Sequence, residues 1–130
     1  MQAAGAELER ISAGSWIADA VASNHQANTV VIDAIRTHAQ RKAFRRISVE
    51  VVAVHLTASE RVRRERYARR QRGERAYEGV GSFDELMGHP TEAGAEALED
   101  GADILLDSSD ASVLTLAETV ACFVRNLEAS

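Results

Sequence analysis

Cysteine occurs once in this 130-residue chain, proline once and lysine once, and aromatic residues supply only 5% of it. The lone Cys122 excludes an internal disulfide and suits a reducing compartment. No apolar run approaches the roughly 18 residues that a membrane-spanning helix requires. The opening MQAAGAELER has neither the basic start nor the apolar segment of a secretory signal. The expected location is therefore the cytoplasm, without a membrane partner. His25, His38, His55 and His89 lack metal-type spacing, so no metal ligands are expected among them. No nucleophile elbow, Cys/His pair or dinucleotide glycine fingerprint occurs.

What remains is ordinary globular material with an uneven charge. A length of 130 residues suits one domain, and 45% hydrophobic content argues against disorder. Net charge is −5. Eight of the 14 arginines nevertheless fall between Arg61 and Arg75, whereas residues 76–130 hold 12 acids and one arginine. An acidic balance disfavours a dedicated nucleic-acid binder, and the local basic cluster suits a small, highly charged anion better. The excess of arginine over lysine is explained as well by the base composition of the coding DNA as by function.

The hydrophobic pattern reads as α/β. Residues 2–24 look helical, broken near Gly14 and Ser15, with Ser15 as N-cap of the second helix. Trp16 suits either the core or a platform for a planar base. Residues 29–35, TVVIDAI, are a β-branched run of the kind found in strands buried on both faces. Thr37 and Gln40 have capping-box spacing and open a helix carrying Arg41, Lys42, Arg45 and Arg46. Residues 48–56 form a second valine-rich strand. Strand, helix and strand in that order predict a parallel βαβ unit. The boxes at Thr57/Glu60 and Ser82/Glu85 open two more helices, the first reaching about residue 72, and 91–99 read as another. A third strand spans 102–106 and ends at Asp107. The last helix, about 112–127, is capped by Asp110 or Ser112; its Val113, Leu116, Val120, Phe123, Val124 and Leu127 should cover the sheet, with Cys122 as packing.

Asp33 and Arg36 stand at the C-terminal end of the first expected strand, where open parallel sheets bind ligands. Arg63, Arg66 and Arg70 share one face of the arginine-rich helix at i, i+3 and i+7. Three guanidinium forks beside a glycine-containing loop suit phosphate oxygens. They suit equally a solvated face paired with Glu60, Glu65, Glu74 and the acidic C-terminal half. Asp33 has the same duality, as ligand contact or as partner of the following helix. His55, at a strand end, suits a ligand contact or simple packing.

In order and spacing, VVIDAIR, then HLTAS, then Arg63-Arg-Glu-Arg66-Tyr-Ala-Arg-Arg70, then Ala102-Asp103 before a short strand resemble the P-loop nucleoside monophosphate kinases. The likeness is to their dephospho-CoA-kinase-like and cytidylate/adenylate-kinase-like branch, and it runs over about residues 2–127. It implies a three-layer α/β/α domain with a parallel sheet, and residues 61–81 as an arginine-rich lid helix and loop. It implies that Arg36 holds the acceptor phosphate with Arg63 assisting, that Asp33 orients the acceptor or a Mg²⁺-bound water, and that Arg66 and Arg70 close over the phosphates during transfer from ATP·Mg²⁺. Two departures stand out. Ala34 replaces the family's glycine after the aspartate, and G-x-x-x-x-G-K-[ST] is absent, leaving ATP without its usual seat. The family's first strand, which lies between the strands at 29–35 and 48–56, is expected to be missing. Those strands would then pair directly, recruit a strand from another chain, a homodimer included, or expose their edges. The expected ligand is a nucleotide or another phosphorylated small molecule, or, for a non-catalytic module, a sensed nucleotide or a protein partner. RNA at the arginine helix is a weaker expectation.

Overall fold

The computed structural model describes residues 2–24, 27–47, 50–73, 76, 79 and 81–130. The chain forms two compact units, Met1–Val51 and Val52–Ser130.

In the first unit, α1 (Gln2–Ser12) and α2 (Trp16–Asn24) are separated at the expected place. Ala13 and Gly14 both have left-handed backbone, at φ 50° and 85°, which turns the chain sharply enough to start a second helix. The Gly14 N–H donates to the Glu9 carbonyl at 3.2 Å. Ser15 holds the cap position, but its hydroxyl donates to the Asp19 carboxylate at 2.6 Å, and the Ser12 hydroxyl accepts the Trp16 N–H instead. Helix α3 (His38–Ile47) opens with the predicted box. Thr37 Oγ1 accepts the Gln40 N–H at 3.1 Å, and Gln40 Oε1 reaches back to the Arg36 N–H at 2.9 Å. The buried residues here are Gly14, Ala18, Gln40 and Ala43.

The expected strand at 29–35 is absent: these residues have no regular structure. Ala34 has φ 62°, and the Asp33 carboxylate accepts the Ala34 N–H at 2.7 Å, a local turn that competes with extended backbone. A both-faces-buried strand also needs neighbours, and none lies beside this run among the described residues. Val31 is 91% exposed. The predicted βαβ pairing of 29–35 with 48–56 is therefore not formed.

The second unit is a mixed α/β arrangement. Strand β1 (Val54–Thr57) is followed by α4 (Glu60–Gln71), α5 (Phe83–Met87), α6 (Pro90–Ala97), β2 (Ile104–Asp107) and α7 (Val113–Glu128). The strands pair in parallel, Val54 opposite Ile104 and Thr57 opposite Asp107. Two strands are thus present among the described residues where three were expected. β1 is shorter than expected because β2 accompanies only four of its residues; 50–53 are irregular, and 48 and 49 lie outside the described residues. The cap of α4 is Ser59 rather than Thr57, which ends β1. The Ser82/Glu85 box is reciprocal: Ser82 Oγ accepts the Glu85 N–H at 3.1 Å, and Glu85 Oε2 accepts the Gly81 N–H at 2.8 Å. His89 caps α6, its Nδ1 accepting the Thr91 N–H, and Ser112 caps α7.

Helix α7 covers less than its apolar pattern implied. None of its residues is buried, and Val113 (84%) and Leu127 (52%) are exposed. Its 16 residues span about 24 Å, whereas a four-residue strand spans about 13 Å. Cys122 is exposed on this helix rather than packed. No described helix is long and apolar enough to cross a membrane.

Candidate functional site at the C-terminal end of the parallel strands

Both strands end in hydroxyl-bearing residues, Thr57-Ala-Ser59 after β1 and Asp107-Ser108-Ser109 after β2. Such short side chains hydrogen-bond nearby backbone and so stop a strand and start a turn. Here they knit the two strand ends together. The Ser108 N–H and hydroxyl both donate to the Thr57 carbonyl, at 2.8 and 2.9 Å. The Ser59 N–H donates to Ser109 Oγ at 2.8 Å, while Ser59 Oγ takes the Val62 N–H and begins α4. The Ser109 N–H donates to Asp107 Oδ1 at 2.8 Å. Hydrogen bonds from Ser109, with the nearby Arg66 charge adding to them, hold the Asp107 carboxyl below the usual aspartate range.

Arg66 joins this end of the sheet from the second turn of α4. Its Nη1 donates to Ser108 Oγ at 2.9 Å and its Nη2 to the Ser108 carbonyl. Both hydrogen-bond acceptors are neutral, and the Asp107 carboxylate acts on the guanidinium through space and not through a hydrogen bond among the described residues. Ser108 itself is buried.

The other sequence-predicted residues divide. Arg63 donates from Nη1 to Glu96 on α6 at 3.0 Å, and its Nε is buried without a hydrogen-bond partner. Arg70 is exposed in the last turn of α4. Asp33 and Arg36 belong to the first unit, the three arginines to the second. Of the expected lid tip, residues 74, 75, 77, 78 and 80 lie outside the described residues, as does His25. The pairing alternative is realised for much of α4: Arg61 with Glu65, Arg64 with Glu60 and Asp84, and Arg63 with Glu96. Arg64 also lies 4.6 Å over the Phe83 ring, and Phe83 meets Tyr67 edge-on. These contacts brace α4 against α5 and α6.

Two hollows near these helices fit an anion poorly. One, about 240 Å³, is walled by the Arg63 and Arg64 ion pairs with Phe83 and Met87, so its charges neutralise each other. The other, about 490 Å³, is larger but lies beside Leu105 and is walled by Glu96, Glu99 and Asp100, which repel an anion. The Arg66 end of the sheet has the more suitable chemistry. Its hydroxyl cluster went unmarked in the sequence, although D-S-S after an apolar run is a legible signal.

In the first unit, Glu9 has a role the pattern did not reveal. Its carboxylate accepts from Thr37 Oγ1 (2.7 Å), Gln40 Nε2 (2.8 Å) and Trp16 Nε1 (3.0 Å). Trp16 is therefore half-buried and tied inward rather than offered as a platform. Through Gln40 the same network holds the backbone N–H of Arg36. Partial desolvation pushes the Glu9 carboxyl up, but the bonds from Thr37, Gln40 and Trp16 together outweigh it and keep its pKa below the usual range. A carboxyl depressed in the folded state stabilises that state above its unfolded pKa and loses the effect as pH falls through the folded one. Acid titration should thus loosen the helices of this unit from the ordinary glutamate range downwards. The loosening, read from the Trp16 fluorescence, should be largely absent in Glu9→Gln.

Among the described residues no group of three or more His, Cys, Asp or Glu side chains is placed to hold a metal ion. Compared with protein-family models, with curated proteins and with solved structures, the chain has no match in any of the three.

Proposed function

We propose that the chain is a phosphate-binding α/β domain related to the acceptor and lid half of the nucleoside monophosphate kinases, with a nucleotide or another phosphorylated small molecule as ligand. One observation carries this reading: the Arg66 fork stands on the neutral Ser108 oxygens at the C-terminal end of two parallel strands. That end of a parallel sheet is the ordinary place for a ligand, and a preorganised guanidinium suits two phosphate oxygens at once. Beside it, the Ser59 hydroxyl, which accepts the Val62 N–H, can still donate to a ligand. In this reading Arg63 and Arg70 flank Arg66 on α4. The order of motifs supports the kinase relationship; the parallel pairing of β1 with β2 supports the α/β class alone.

ATP·Mg²⁺ lacks its usual seat in this sequence, because the donor-phosphate loop G-x-x-x-x-G-K-[ST] does not occur in it. Phosphoryl transfer enters this reading only with a donor loop from another segment or chain, and no step is derived through it. The alternative is a non-catalytic module that senses a nucleotide or contacts a protein. It draws on the ion pairs of Arg61, Arg63 and Arg64, which use up cationic charge within the chain.

Thermal unfolding with inorganic phosphate, nucleoside mono- and triphosphates, each with and without Mg²⁺, tests the proposal. A monophosphate at about 100 times its Kd should stabilise the fold by roughly 2.7 kcal/mol. Melting curves that no phosphorylated ligand moves would remove the reading.

A further inference from the structure

The β1–β2 sheet has an open side. The Asp103 and Ile104 N–H groups donate to the Ala53 carbonyl and the Ser108 N–H to the Thr57 carbonyl, so the odd-numbered residues of β1 turn their backbone groups toward β2. The backbone N–H and C=O of Val54 and Leu56 then point away from β2, and no described strand lies on that side. The side chains of both residues are exposed, Leu56 at 56%. An apolar strand edge of this kind is a template for another strand. The first unit holds the matching piece: TVVIDAI at 29–35 is β-branched, unpaired, and exposes Val30 and Val31.

We infer that two copies of this chain associate by strand addition, the 29–35 segment of one pairing with the Val54–Leu56 edge of the other. Each copy carries one donor and one acceptor, so reciprocal exchange closes a two-fold dimer in which both β1 edges are covered. Charge favours the same pairing. The donor segment leads into Arg36, Arg41, Lys42, Arg45 and Arg46, with Asp33 as its only acid, whereas the receiving unit, Val52–Ser130, holds 15 acids against nine arginines. Opposite fields of this size speed encounter and weaken with salt.

Sedimentation of the whole chain over a range of concentrations tests the inference. A concentration-dependent dimer, weaker at high salt, is expected. Val31→Lys and Leu56→Lys replace exposed side chains, so each variant should fold, and each should weaken the dimer at least tenfold. An equimolar mixture of the two should regain association, because one intact donor then meets one intact acceptor. Val113→Lys, on the exposed end of α7, should change nothing. A wild-type chain that stays monomeric overturns the inference. So does a dimer that survives either strand variant, a mixture that stays monomeric, or a dimer lost in Val113→Lys. Hydrogen exchange on the wild-type chain reads the same contact without substitution: alternate amides within 29–33, and that of Leu56, should slow together as concentration rises. Unchanged exchange in a dimer would exclude this interface.

Discussion

Arg66→Ala should weaken binding of a nucleoside monophosphate by roughly ten- to a hundredfold, because a charge-assisted hydrogen-bonding group contributes about 1.5–3 kcal/mol. The effect should exceed that of Arg61, Arg63 or Arg64 because of what each one touches. Arg61, Arg63 and Arg64 have carboxylates of their own chain as partners. A ligand phosphate must compete with those carboxylates. Arg66 hydrogen-bonds a hydroxyl and a carbonyl, which position the fork, and feels the Asp107 carboxylate only through space. Arg66→Lys keeps the charge and loses the two-pronged geometry, so it should recover only part of the affinity. Arg61→Ala, which removes an exposed pair with Glu65, should leave binding unchanged. Calorimetric titration of the three variants checks this, with each melting curve recorded to show that the β2 turn survives. Equal affinity in wild type and Arg66→Ala would take the site away from this end of the sheet.

Gly14→Ala should cost about 2–5 kcal/mol and unfold the helices of the first unit. Two effects add. The backbone at Gly14 is left-handed, with φ 85°, a conformation that costs any residue with a Cβ about 1–2 kcal/mol. A Cβ built there would also lie 2.7 Å from Ala39 Cβ, 2.9 Å from the Ala39 carbonyl carbon and 2.9 Å from the Gln40 nitrogen. Two of those atoms are backbone at the start of α3 and have no rotamer by which to retreat. Overpacking of this kind adds about 1–3 kcal/mol. A unit of some fifty residues has little reserve against such a loss, since small domains bury a smaller fraction of their surface. Helical signal lost on circular dichroism, with Trp16 emission shifted to that of an exposed indole, is the expected result. A native-like spectrum and melting curve would show that the turn relaxes more easily than its packing implies. Gly5, whose added Cβ meets nothing within 4 Å, is the control.

The helices were the most legible part of the sequence, and the capping residues explain why. Ser82 with Glu85 and Thr37 with Gln40 are local devices: donor and acceptor sit within four residues, so spacing alone determines the hydrogen bond. The break at Gly14 was legible for the same reason. Where the reading of a cap failed, at Thr57, two hydroxyl residues stood two positions apart, and the strand claimed the first. The candidate site was only half legible. The arginine face of α4 was visible as a spacing, but the arginine that stands on neutral oxygens is distinguished only by Ser108, 42 residues further along the chain. Glu9 was not visible at all, since its three donors come from Trp16, Thr37 and Gln40.

Strands depend on neighbours that sequence does not name. TVVIDAI has five β-branched residues in seven and SVEVVAVHL only four in nine, yet among the described residues only the second supplies a strand, over Val54–Thr57, because β2 lies beside it. Composition and periodicity by themselves determined the helices, the capping residues Thr37 and Ser82, the mixed α/β class, the charge division and the lack of any donor-phosphate loop, all of which rest on residues close together in the chain. Tertiary structure alone decided which apolar run becomes a strand, which arginines are spent on acids, and which one is held ready at the strand ends. Those outcomes depend on contacts between residues far apart in sequence, whose free energy is set by burial and by the choice of partner.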